Sequence, residues 1–123
     1  MFGKVIYAYT RAQAIKDGVL FDVSETARES GFIWPVAITA AVQALIEAIP
    51  PRLRGINDVD GRLWDVLWMA YMAIRKAPHG GDDLLYYGLI LPHGRKKNVT
   101  LKLVTGPGDQ GEPVVTIMLP DED

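Results

Sequence analysis

The chain has 123 residues, 49% of them apolar, with 13 Lys and Arg against 15 Asp and Glu, a net charge of −2 and no cysteine. A length and apolar content of this order predict one domain over residues 1–123 whose core needs no staples. The missing thiols exclude disulfides, thiolate–metal centres and a cysteine nucleophile, and the near-balanced charge argues against both a broad nucleic-acid footprint and a DNA-mimicking acidic coat.

Taken in chain order, Val5-Ile6-Tyr7 is apolar and β-branched, which suits an added first strand over Lys4 to Tyr9. Lys4, Arg11 and Lys16 interrupt the apolar residues here, so the segment lacks the block of a secretory leader. Thr10-Arg11-Ala12-Gln13 has capping-box spacing and predicts a short helix from Arg11 to Asp17, ended by Gly18. Val19 to Val23 reads as an extended piece, after which Ser24 caps a second short helix that stops at Gly31. Pro35 suits the first turn of a third helix, with Val36, Ile38, Ala40, Val42, Ala44, Leu45, Ala48 and Ile49 as its wide apolar face and Pro50-Pro51 as its stop. Arg52 to Asp60 is a mixed-charge connection, and a fourth helix runs from Asp60, its expected cap, to Lys76.

Beyond Gly81 the period changes from 3.6 to 2, and Leu84 to Leu91, Val99 to Thr105 and Val114 to Leu119 read as strands. The expected architecture is α+β: about four N-terminal helices packed on one face of a C-terminal three-stranded antiparallel meander, with the N-terminal strand as an addition. No apolar run is long enough to cross a bilayer, so a cytoplasmic protein without membrane contact is expected.

Chemistry-bearing constellations are sparse. Ser24 and Ser30 stand outside any nucleophile-elbow motif, and His79 with Asp82 and Asp83 crowd into one turn, which suits capping better than a metal. Asp22, Glu25, Glu29 and Asp65 supply carboxylates for acid–base work, yet no spacing selects a pair. The loop from Gly106 to Pro113 lacks the lysine and following helix of a phosphate-binding loop. No cofactor and no catalytic residue are expected.

Three surfaces suit a partner. Trp64, Trp68 and Tyr71 form a stripe on the fourth helix beside the buried one, fitting either a helix enclosed on all sides or a contact face. Arg95, Lys96 and Lys97 fall in one turn, either an anion grip or a solvated hairpin tip, and Asp121, Glu122 and Asp123 make an acidic end. A small-molecule cleft would instead need Tyr7, Tyr9 or Tyr86 to meet Arg11, Arg28 or Arg62. The surplus apolar area of the fourth helix would also suit a homodimer.

The segments Ile6-Tyr7-Ala8-Tyr9-Thr10-Arg11-Ala12-Gln13-Ala14-Ile15 through Arg28-Glu29, Gly61-Arg62-Leu63-Trp64-Asp65-Val66-Leu67-Trp68-Met69-Ala70, and Gly106-Pro107-Gly108-Asp109 through Ile117-Met118-Leu119-Pro120 together resemble a family of small bacterial proteins of unknown function. The resemblance runs nearly end to end and implies an accessory protein of phages, plasmids and integrated elements. It implies no active site. The function it suggests is non-catalytic binding to a host protein complex, such as stoichiometric inhibition of a defence system in the manner of an anti-CRISPR protein. Small-molecule binding and self-association are the alternatives, and nucleic acid is not expected as a direct ligand.

Overall fold

The computed structural model describes residues 9–77 and 83–123. The proposed strand over Lys4 to Tyr9, apart from Tyr9 itself, and the candidates Tyr7, His79 and Asp82 lie outside the described residues. In chain order the elements are α1 (Arg11–Lys16), β1 (Leu20–Asp22), α2 (Ser24–Ser30), β2 (Val36–Thr39), α3 (Ala40–Glu47), a 3-10 turn (Pro51–Leu53), α4 (Val59–Lys76), β3 (Leu84–His93), β4 (Lys96–Pro107) and β5 (Pro113–Met118).

The class is α+β, but the sheet differs from the expected meander. Among the described residues it has five strands in the order β1-β2-β5-β4-β3 and is mixed: β2 runs parallel to β5, and the other neighbours are antiparallel. The three C-terminal strands are therefore one side of a larger sheet, completed by β1 and β2 from the N-terminal half. The expected third helix from Pro35 is the source of the difference. Val36, Ala37 and Ile38 are all buried, as befits an interior strand covered on both faces, and such a run carries no alternation to distinguish it from helix. Thr39 sets the boundary: its Oγ1 accepts from the Val42 amide at 3.3 Å, so the helix begins at Ala40.

One face of the sheet carries the core. Val36 and Ile38 of β2, Val115 and Ile117 of β5, Leu101 and Leu103 of β4, and Tyr87, Leu89 and Leu91 of β3 join Ala27 and Phe32 from α2 and its exit, Val42 and Ile46 of α3, and Val66, Leu67 and Ala70 of α4. Each fully buried aliphatic side chain of this kind contributes about 1.5–3 kcal/mol. The helices are not all on this side. Thr116 alternates with Val115 and Ile117 and so faces the other way, and Arg11 of α1 donates to Thr116 Oγ1 at 2.7 Å and to the Val115 carbonyl at 2.8 Å. Thus α1 lies on the second face, in place of the expected one-sided packing.

Local signals position the ends. Thr10 Oγ1 accepts from the Gln13 amide at 3.0 Å, and Gly18 follows α1 at φ 77°. The α2 start departs from the expected Ser24 cap: Asp22 Oδ1 accepts from both the amide (3.0 Å) and the hydroxyl (2.6 Å) of Ser24, which is already helical. Asp58 rather than Asp60 caps α4, accepting from the Gly61 amide at 2.6 Å.

Candidate functional site

The 18 residues of α4 turn Arg62, Val66 and Ala70, at helical spacing, and Leu67 toward the protein interior. Trp64, Trp68, Tyr71 and Arg75 lie along another side. Trp64 and Trp68 stack with ring centroids 5.3 Å apart and planes 17° apart, and Trp68 meets Tyr71 at 6.0 Å. Tyr71 in turn packs edge-on against Phe32 at 5.8 Å, and Arg75 covers its ring at 5.8 Å while Nη1 donates to its hydroxyl at 3.1 Å. Aromatic contacts of this type each add about 0.5–1.5 kcal/mol beyond area burial and so favour this arrangement of the ladder. The helix is not enclosed on all sides: Trp64 and Trp68 remain 37% and 38% exposed.

The exit from α2 adjoins this ladder. Gly31, at φ 119°, lets the chain pass so close to Tyr71 that a Cβ there would sit 2.7 Å from the ring. Phe32 then turns into the core, and Ile33 and Trp34 point outward, Ile33 with 88% exposure. Sequence reasoning missed this pair. Its signal was a bulky Ile-Trp step between a helix-ending glycine and Pro35, a place where loops are ordinarily polar.

The small-molecule candidates are not gathered. Tyr9 donates its hydroxyl to Asp17 Oδ2 at 2.8 Å, an interaction that raises its pKa. Arg11 is committed to β5, and its burial lowers its pKa. Arg62 lies on the helix side of the sheet, 3% exposed. Its Nε donates to the Ile46 carbonyl at 2.7 Å, Nη2 to the Leu45 carbonyl at 3.1 Å and Nη1 to Asn57 Oδ1 at 3.3 Å. It therefore closes the C-terminus of α3, where positive charge is favoured, supplying a donor to the Ile46 carbonyl and a second donor to the Leu45 carbonyl, which also accepts from the Ala48 amide at 3.2 Å. A hollow of about 230 Å³ borders Arg62, Asn57, Asp58 and Asp65, but three guanidinium donors already have protein acceptors. Arg28 is exposed on α2, and Tyr86 is exposed on the second face of β3.

Arg95, Lys96 and Lys97 are all exposed at the β3–β4 turn, where Gly94 at φ 55° supplies the left-handed residue of a two-residue hairpin. Arg52 approaches from the turn before α4, its Nη1 3.5 Å from the Gly94 carbonyl. At the acidic end, Asp121 and Asp123 are exposed, whereas Glu122 fastens the tail to the sheet. Its Oε2 accepts from Thr39 Oγ1 at 2.9 Å and from the Leu119 amide at 2.7 Å, and the buried Lys102 donates Nζ to its carbonyl.

The loop from Gly106 to Pro113 has a structural task that sequence reasoning did not assign. Asp109 accepts from the amides of Arg11 at 2.7 Å and Ala12 at 2.9 Å, joining the loop to the start of α1. These two backbone donors hold its carboxyl below its usual pKa. Among the described residues, no group of three or more His, Asp or Glu is arranged to hold a metal ion, and no helix is long and apolar enough to cross a membrane.

An α+β chain with an exposed aromatic ladder on its longest helix and a basic hairpin at one end of its sheet is thus what the sequence builds. The chain belongs to a family of unknown function, DUF6573, whose model matches residues 2–123. Comparison with curated proteins and with solved structures gives no match.

Proposed function

We propose that this chain is a binding protein without chemistry of its own and that the aromatic side of α4 receives a partner protein. The observation that carries the reading is the Trp64–Trp68 stack, both of whose residues are more than a third exposed. Rigid, half-buried tryptophans offer large apolar contact at little entropic cost, and tryptophan is enriched among residues that dominate interface energies. The resemblance to accessory proteins of mobile elements supports a bacterial defence complex as the partner, blocked by occupancy in the manner of an anti-CRISPR protein.

The test is capture from lysates of cells carrying such a complex, with the wild-type chain and the double variant Trp64→Ser/Trp68→Ser side by side. The wild type is expected to retain one complex in stoichiometric amount. The variant should bind it at least about a hundredfold more weakly, since interface tryptophans contribute about 2 kcal/mol or more each. Equal retention by both would remove α4 from the interface. If sedimentation instead reveals a dimer that the double variant dissolves, the face belongs to a second copy of the chain.

A further inference from the structure

The C-terminal hairpin outruns the rest of its sheet. β5 pairs with β4 only from Lys102 to Pro107, whereas β3 follows β4 from Val104 up to the His93–Lys96 pair. Above Lys102 the structure is therefore a two-stranded ribbon. Its core face, with Leu89, Leu91 and Leu101, packs among the helix residues of the core. Its second face is open: Tyr86, Ile90, Lys96, Asn98 and Thr100 are all exposed, Ile90 at 70%.

Charge is sorted onto this end. From Leu84 to Gly108 there is no carboxylate in 25 residues, and none from Ile49 to Asn57. Arg95, Lys96 and Lys97 stand at the tip beside Arg52, with exposed Arg54 two residues along. These five cations leave eight basic against fifteen acidic side chains in the rest of the chain. A net charge of −2 averages over that separation, which is why composition alone argues against a polyanion.

We propose that the β3–β4 ribbon binds duplex DNA, with its second face in the major groove and its tip on the flanking phosphates. A two-stranded ribbon is a shape the major groove, about 12 Å wide, admits. Lys96, Asn98 and Thr100 succeed one another on one face at intervals of about 6.8 Å, and Ile90 pairs across from Asn98. This row combines donors, acceptors and an apolar group, the kinds of side chain that read base edges. Arg52, Arg54, Arg95 and Lys97 supply phosphate contacts from segments that carry no carboxylate, while Asp58 and Asp65 border the hollow they share with Ile90 and Pro92. An acidic protein surface would answer the tip cations but leave the Ile90/Asn98/Thr100 face without a role. The ribbon face lies across the sheet from α4, so this inference is independent of the aromatic surface.

Fluorescence anisotropy with a labelled 20-base-pair duplex of mixed sequence tests it. With four phosphate contacts, affinity should fall about 150-fold between 50 and 200 mM salt, a log–log slope of about −3.6. Arg95→Ser/Lys96→Ser/Lys97→Ser should weaken binding at least tenfold at 50 mM salt and flatten the slope, with circular dichroism unchanged. Arg28→Ser/Lys76→Ser, which removes two exposed cations elsewhere, and Trp64→Ser/Trp68→Ser should bind like the wild type. Bound protein should protect guanine N7 from dimethyl sulfate, because that atom faces the major groove. Absence of binding at 50 mM salt, equal weakening by the Arg28/Lys76 control, unprotected N7 or equal affinity for polyglutamate would each overturn the proposal.

Discussion

Replacing Arg62 by alanine should be among the most damaging single changes in this chain. The side chain is buried, and its fork closes α3 through the Ile46 carbonyl at 2.7 Å and the Leu45 carbonyl at 3.1 Å, with a longer contact to Asn57. Hydrogen bonds from a charged donor contribute about 1.5–3 kcal/mol each, and their loss removes the side-chain donor of the Ile46 carbonyl, while the Leu45 carbonyl keeps the Ala48 amide at 3.2 Å. Counting the two short bonds gives an expected loss of about 3–6 kcal/mol, a large share of the roughly 5–15 kcal/mol that holds a typical domain. For a chain of this length that corresponds to a fall in Tm of about 15 °C. Arg62→Lys should cost less, about 1–2 kcal/mol, because an ammonium reaches one carbonyl but cannot span both. Arg52→Ala, at an exposed position, should stay within about 0.5 kcal/mol. Urea unfolding followed by circular dichroism reads all three. A value for Arg62→Ala within 1 kcal/mol of the Arg52→Ala control would refute the assignment of the guanidinium as the closure of α3.

Gly31→Ala combines a left-handed φ of 119° with a Cβ 2.7 Å from the Tyr71 ring, so it should cost about 2 kcal/mol or more. Adding Tyr71→Leu should recover the steric part and leave the backbone part, a non-additivity visible in a double-mutant cycle; strict additivity would disprove the contact. Asp109 has a folded pKa below its unfolded value, so its contribution to stability is present above the usual carboxylate range, about pH 4, and is lost as pH falls through the folded pKa. Wild-type stability measured from pH 5 to pH 2 should therefore fall more steeply than that of Asp109→Asn, and parallel curves would show that the link from Asp109 to α1 carries no weight.

Where one physical signal dominates, the sequence was a good guide. The expected span of α4 from Asp60 differs from the observed one by a single residue at its start, because its apolar period is long and proline follows it. The Thr10 cap and the three C-terminal strands were legible for similar reasons. Val36-Ala37-Ile38 was not, since a strand buried on both faces shows no alternation and its residues fit a helical face equally well. With that strand misplaced, the five-stranded mixed sheet was out of reach. The candidate surfaces were partly legible: the Trp64/Trp68/Tyr71 stripe was visible as excess apolar width. Arg11 and Arg62 carried no signal that distinguished a structural cation from a ligand-binding one, because their acceptors are neutral groups, backbone carbonyls among them, that only the folded chain brings within reach.

The strand at the middle of the sheet is the last of the five in chain order. β5 is flanked by β2 on one side and β4 on the other, and its Val36–Val115 and Ile38–Ile117 pairs join partners 79 residues apart. A ribosome that has released everything up to Pro107 has therefore delivered both flanks of the sheet without the piece that unites them. Until Pro113–Met118 emerges, β2 and β4 each present an unsatisfied inner edge, and the core lacks Val115 and Ile117. The two flanks can thus be joined into one sheet only once β5 is available, and truncations that remove β5 should yield aggregating halves rather than a smaller stable protein.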